Sequence, residues 1–304
     1  PSSAPNDPVL ASDDVTYIGQ PIVAIAAISD AIAENAIDRI KIEFERRSFV
    51  TDPLESLVQF GPNAYPDGNV LRQSNSLEDE NATIRGGIAE IKWPATEIEK
   101  FRNGQEPTGV DFADGWTYGD LDTAFSESTV IVEESCLTAG TPHHCMEPRS
   151  SMAYWQNGKC YFYASTQSQS AVVEPLAALL GIAPENVCMI SENTGGGFGS
   201  KGRVYPTMAI TGKFSQLLNR PVQLRITREE EYYLGVGRPG MQGWVKTGVR
   251  ADGSVAAVDV IIISDGGPTG RNSASSSAQH LSVVYTPSAM RLRNIPVFTN
   301  TAPR

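Results

Sequence analysis

Thr194-Gly-Gly-Gly-Phe-Gly-Ser-Lys-Gly202 is the segment of this chain best suited to chemistry. Consecutive glycines permit positive φ and let a ligand approach the main chain closely, at a conformational cost that an ordinary loop rarely needs. Between a strand and a helix, its amide N–H groups can converge as a nest on an anionic or oxo group. The same glycines would also serve a tight turn that packs a helix on a sheet, and the segment alone does not separate the two. Ser200 stands where a phosphate-binding GxxxxGK[ST] loop needs glycine. A second segment, Ser165-Thr-Gln-Ser-Gln169, falls at the end of a predicted strand, where α/β folds place ligand groups. An amide side chain there can donate and accept hydrogen bonds, although a polar helix cap would look the same. In the third, Pro142-His-His-Cys-Met-Glu-Pro148, two of the chain's three histidines stand near a carboxylate. The spacing is not HExxH and no third ligand group accompanies it, so no protein-ligated metal is expected.

The elements that must position these segments follow from hydrophobic periodicity. Cys160 to Ser165 reads as a strand, and Ser170 to Leu180 as a helix with Val173, Leu176, Ala177 and Leu180 on one face. Val187 to Ile190 is a further strand leading into the glycine segment, and Pro206 to Leu218 a helix carrying Met208, Ile210 and Leu217. Val222 to Ile226, Trp244 to Val249 and Val255 to Ser264 read as strands, the last two joined by the hairpin signal Asp252-Gly253. Upstream, Ile22 to Ile28 predicts a buried strand, Asp30 to Arg39 a helix with Asp30 as N-cap, and Ile40 to Phe44 a half-exposed strand. Phe60 to Trp116, with Pro62, Pro66, Pro94, Pro107 and the acidic Glu78-Asp-Glu80, reads as a connector. A short helix over Gly119 to Phe125 and a strand over Val130 to Glu134 follow, placing a domain boundary near Gly119. The alternation makes the chain α/β, mixed in character.

Composition narrows the functional classes. A net charge of -11 without a dense Lys/Arg block removes the electrostatic footprint of a nucleic-acid binder. The most apolar early stretch, Pro21 to Ile28, is far short of the ~20 residues a membrane span needs. Cys136, Cys145, Cys160 and Cys188 are scattered without CxxC spacing and read as reduced, buried thiols, so any iron–sulfur centre belongs to another chain. The chain starts at Pro1 without a basic-then-apolar leader, which fits the cytoplasm and leaves the periplasm open.

In their order and spacing the three segments resemble the molybdenum hydroxylases of the xanthine dehydrogenase and aldehyde oxidase family. His143-His-Cys-Met-Glu-Pro148 is similar to the family's H-x-x-M-E-P, Ser165-Thr-Gln167 to its S-T-Q, and Gly195-Gly-Gly-Phe-Gly-Ser-Lys201 to its G-G-G-F-G-x-K. The resemblance extends back to Val9–Pro21, with its V-x-Y-x-G-Q-P pattern, and forward through Arg225–Tyr232 and Asp252–Ser254 to Phe298–Asn300. It is weakest over Asn69–Trp116.

That resemblance implies a partial hammerhead α/β domain over 1–118, with its connector at about 60–116, followed by the first part of a molybdopterin-binding domain over 119–304. It implies a molybdenum–molybdopterin cofactor, the cytosine dinucleotide being one form, with no protein ligand to the metal. Gln167 would face the apical oxo side as a catalytic and cofactor-binding residue, and the backbone of Gly196, Gly197, Phe198 and Gly199 would approach the cofactor. The reaction implied is hydroxylation of an aldehyde or N-heterocycle with oxygen from water. Electrons would pass to iron–sulfur clusters and FAD on partner chains or domains. Gly202 stands where xanthine-oxidising members carry a substrate-binding glutamate, which disfavours a purine. The family's Arg-Gly segment and its G-x-G-E base lie beyond Arg304, so the resemblance implies that the remaining molybdopterin-domain polypeptide is needed for activity. The rival reading is a non-catalytic assembly subunit that keeps the fold without the cofactor; Gln167 and the intact glycine run favour the enzyme.

Overall fold

The computed structural model describes residues 9–72 and 87–304, and the acidic run Glu78-Asp-Glu80 falls outside them. Helices are α1 (Asp30–Ile37), α2 (Pro53–Leu57), α3 (Ala95–Arg102), α4 (Leu121–Ser126), α5 (Gln169–Leu180), α6 (Pro206–Leu218), α7 (Arg228–Leu234) and α8 (Ala274–Tyr285). Strands are β1 (Val70–Leu71), β2 (Ile88–Ala89), β3 (Asp114–Tyr118), β4 (Val130–Thr138), β5 (Ser150–Gln156), β6 (Lys159–Ala164), β7 (Val187–Ile190), β8 (Val222–Arg225), β9 (Met241–Val249), β10 (Val255–Gly267) and β11 (Ala289–Phe298). They form a seven-stranded sheet in the order β2-β1-β11-β10-β9-β4, with β3 also on β11, and a four-stranded sheet in the order β7-β6-β5-β8.

The large sheet is built around β10, which is antiparallel to β9 across the Asp252-Gly253 turn and parallel to β11. Its apolar run is buried on both faces. Ile261 and Ile263 join Trp93, Ile98 and Phe101 on one side, while Val258, Val260 and Ile262 meet Ala274 and Ala278 of α8 on the other. The small sheet buries only one face, where Ala153, Cys160 and Phe162 pack under Leu176 and Leu180 of α5 and Met208 of α6. Val173, expected on the buried face of α5, is partly buried against the same cluster. Of the scattered cysteines, Cys145 and Cys160 are buried and Cys136 is exposed, against the expectation that all are buried. Burial pushes the Cys160 thiol up to about 12, so it is protonated at neutral pH.

Two local expectations meet a different structure. The helix after residue 28 forms, with Ser29 rather than Asp30 as its N-cap, but neither Ile22–Ile28 nor Ile40–Phe44 pairs into a sheet. The reason is physical: a strand pattern specifies a strand only where a partner ladder exists. None lies beside these runs among the described residues, and Ile28, Ile32, Ile40, Ile42 and Phe44 remain exposed. The stretch 60–116, read as a connector from its prolines, instead supplies β1, β2, α3, β3 and much of the core of the large sheet. Trp93 is wholly buried there, edge-on to Phe101 and Phe112 at 6.0 and 5.5 Å, with its indole N–H donating to the Asp111 carbonyl at 2.9 Å.

Trp93→Ala should therefore destabilise the protein by about 3–5 kcal/mol, the range for truncating a large buried aromatic. Denaturant midpoints at constant slope check this; a loss under about 1 kcal/mol would return the stretch to connector status.

Candidate active site

Strand topology brings the three sequence segments together. β6 and β7 are parallel neighbours, so the turns at their C-terminal ends, Ser165–Ser168 and the glycine loop from Thr194, lie side by side. β5 runs antiparallel to β6, which puts the His143–Pro148 segment preceding it at the same end. The turn after β6 is also the start of α5, capped by the Ser168 hydroxyl on the Ala171 N–H, so the capping reading and the site reading describe neighbouring residues.

Gln167 is clamped to the glycine loop. Its backbone N–H donates to the Lys201 carbonyl at 3.0 Å, and its Oε1 accepts from the N–H groups of Gly199 at 2.9 Å and Lys201 at 3.2 Å. Two backbone donors on one oxygen assign the amide's orientation: Oε1 points into the loop and Nε2 faces outward. The loop passes so close that a Cβ on Gly197 would sit 2.4 Å from the Gln167 amide carbon, which only glycine avoids. Gly196 (φ +93°), Phe198 (+52°) and Gly199 (+102°) turn the chain through left-handed conformations. Phe198 adopts that conformation at a cost a β-carbon normally forbids, and its ring is 60% exposed. An exposed, strained aromatic on a glycine loop marks a functional segment more often than a structural one.

Ion pairs underneath the loop hold it. Lys201 is fully buried and its ammonium donates to the Glu147 carbonyl and to Glu147 Oε2, both at 2.9 Å. Glu147 Oε2 also accepts the Gly195 N–H at 2.7 Å, and the Glu147 N–H donates to the Gly195 carbonyl. Burial opposes the Glu147 charge, but the hydrogen bonds from Lys201 and Gly195 outweigh it and hold the carboxyl below its ordinary range. Arg149, equally buried, pairs with Glu231 and donates to the Ser200 carbonyl at 2.6 Å. Arg228 donates to the carbonyls of Cys145 and Met146 at 2.6 Å each. Glu231, Arg228 and the pairing of Lys201 with Glu147 carry no local sequence signature, because the partners lie 54 to 83 residues apart.

His143 does not join a metal site. Its Nδ1 contacts the Val236 carbonyl, and burial lowers its pKa, so the imidazole is neutral with Nδ1–H as donor. His144 sits edge-on to Tyr232 instead. Among the described residues no three His, Cys, Asp or Glu side chains come together as metal ligands.

The glycine loop, Gln167 and five of the seven strands of the large sheet fall inside residues 104–304, which match the molybdopterin cofactor-binding domain. The chain belongs to this family. It is 28% identical over 97% of its length to a probable xanthine dehydrogenase subunit of Bacillus subtilis (strain 168), of which it covers 35%. It is 28% identical over 86% of its length to the nicotine 6-hydroxylase large subunit of Paenarthrobacter nicotinovorans, covering 27% of that protein. Among solved structures, quinoline 2-oxidoreductase from Pseudomonas putida 86 superposes with a TM-score of 0.72 at 20% identity, over 97% of this chain and 34% of that one. This molybdopterin-binding chain thus spans about a third of the length of such relatives. No helix among its described residues is long and apolar enough to cross a membrane.

The ion pair beneath the loop gives a pH test. A carboxyl held low in the folded state adds stability above its unfolded pKa of ~4.3, and that stability is lost as pH falls through the folded value. Glu147 is 33% exposed, so solvent screening limits the effect; Glu147→Gln keeps an amide oxygen and the backbone carbonyl as acceptors for the Lys201 ammonium and should cost about 1 kcal/mol at pH 7. Thermal unfolding of the two proteins should differ at pH 7 and converge as the pH falls below the ordinary carboxylate range. A difference that stays constant with pH would remove the charge from the account.

Proposed function

We propose that this chain supplies the wall of a molybdenum hydroxylase active site that faces the metal, and that the enzyme oxidises an aldehyde or an N-heterocycle. The observation that carries the reading is the Gln167 amide, whose Oε1 is taken by two backbone N–H groups while Nε2 has no partner among the described residues. A fixed, outward-facing N–H donor beside a left-handed glycine loop suits an oxo-rich group.

The residues fit a molybdopterin. A Cβ at Gly199 would meet only His143 Nε2, at 3.7 Å, and one at Gly202 only the Gly199 carbonyl, at 3.5 Å, so the outer side of the loop is open. Gln167 and the backbone of Gly196, Gly197, Phe198 and Gly199 would hold the cofactor's face. A bound molybdopterin centre supplies the oxidation of a substrate carbon with oxygen taken from water. This chain's own residues orient and hydrogen-bond; the two carboxylates that brace the loop from beneath are engaged, Glu147 by Lys201 and Glu231 by Arg149, and neither is free to take a proton. A general base, iron–sulfur clusters and a flavin would come from further polypeptide, in keeping with relatives about three times as long.

Gly202 supports the substrate class, since it leaves open the position at which the resemblance puts a purine-binding glutamate in xanthine-oxidising members. The relatives' names are divided: nicotine, in one, is a non-purine N-heterocycle, while the Bacillus subtilis relative is named for a purine, and Gly202 weighs against that substrate here.

In the assembled, molybdenum-replete enzyme, Gln167→Ala should lower turnover roughly tenfold to a hundredfold while metal content stays level, on the ~1.5–3 kcal/mol of a hydrogen bond to a charged centre. Wild-type turnover in that variant would overturn the assignment.

A further inference from the structure

Three arginines from separate segments gather at the rim of the loop. Arg203 follows Lys201 on the loop itself, and Arg238 donates to the Phe198 carbonyl at 2.9 Å. The Asp265 N–H donates to the Gly240 carbonyl at 2.9 Å, setting the end of β10 beside the Arg238 segment. The turn beyond it, closed by the Arg271 N–H on the Gly266 carbonyl at 3.1 Å, brings in Arg271. Among the described residues none of the three has a carboxylate partner, and the guanidinium groups of Arg203 and Arg271 make no hydrogen bond. Their proximity is felt electrostatically: burial first, then the charges of Arg203 and Arg238, hold the Arg271 guanidinium below its ordinary value. Arg238 and Arg271 likewise add to the burial that keeps His143 neutral.

Like charges held together repel, and an anion among them relieves the repulsion. Guanidinium groups in particular match the planar fork of a carboxylate or the oxygens of a phosphate. We propose that Arg203, Arg238 and Arg271 form an oxyanion subsite beside Phe198 and Gly199 that takes the carboxylate or phosphate group of a small ligand. The identity of that ligand rests on the function proposed above: a substrate's carboxylate or the cofactor's phosphate. Arg203 adjoins Gly202, the open position in the loop, so a substrate lying there would carry its anionic substituent toward the trio.

Calorimetric titration of the protein with its accompanying subunits, using benzoate and inorganic phosphate at low ionic strength, tests the subsite. One site is expected, weakened about tenfold or more by Arg203→Gln/Arg271→Gln, on the strength of charge-assisted hydrogen bonds. Removing the same charge at the exposed pair Lys213→Gln/Arg220→Gln should leave it unchanged. Benzoate binding to molybdenum-replete protein assigns the subsite to the substrate; binding of either probe only after cofactor removal assigns it to the cofactor's phosphate. No saturable binding in either state, or equal loss in both double variants, overturns the proposal. The titration needs no molybdenum, so a preparation found never to bind that cofactor would refute the proposed function and leave this result standing.

Discussion

The buried ammonium of Lys201 is the constraint around which the site is arranged. An unpaired charge at zero exposure costs several kcal/mol, so the loop holds its shape only while Glu147 stays in reach. That requirement pins the segment leading into β5 to the loop after β7. The Glu147 carboxylate then takes up the first loop N–H at Gly195, and the Lys201 carbonyl accepts from the Gln167 N–H and the Thr166 hydroxyl. Arg149 extends the same logic one layer deeper, joining Ser200 to Glu231 of α7. Long side chains from three elements thus fix a loop that has little packing of its own.

How much of this could be read from the sequence depends on the range of the forces involved. α6 and β7 appear where periodicity puts them, because each turns an apolar face to one local core. The glycine loop was legible because its residue types are costly anywhere else. Gln167 could be singled out, but its orientation could not, since two N–H groups from residues 32 and 34 positions away decide it. The role of 60–116 was hidden by prolines and glycines, which signal turns locally while saying nothing about the tertiary contacts of Trp93 and Phe101. α8 was silent for a similar reason, as its serine-rich first half has weak helical propensity and it is held by Ala274 and Ala278 under the large sheet.

Much of the large apolar surface left exposed among the described residues lies on two features. Among the described residues β4 pairs only with β9, and each of its residues is exposed, including Val130, Ile131, Val132 and Leu137. The 15–49 stretch exposes Ile18, Ile28, Phe44 and Phe49. Long open edges of this kind are seldom left to water. They agree with a chain that works alongside further polypeptide, as the function proposed for it requires.

The account stands on a loop built by this chain's own side chains and ready before any cofactor arrives. Amide hydrogen exchange in cofactor-depleted protein measures that directly at Gly195, Gly199 and Lys201, whose N–H groups are held by Glu147 and Gln167. The account predicts slow exchange at all three, as for other buried or hydrogen-bonded backbone in the small sheet. Exchange at the rate of an unstructured chain, with protection appearing only when molybdopterin is restored, would contradict it and make the cofactor the builder of the loop.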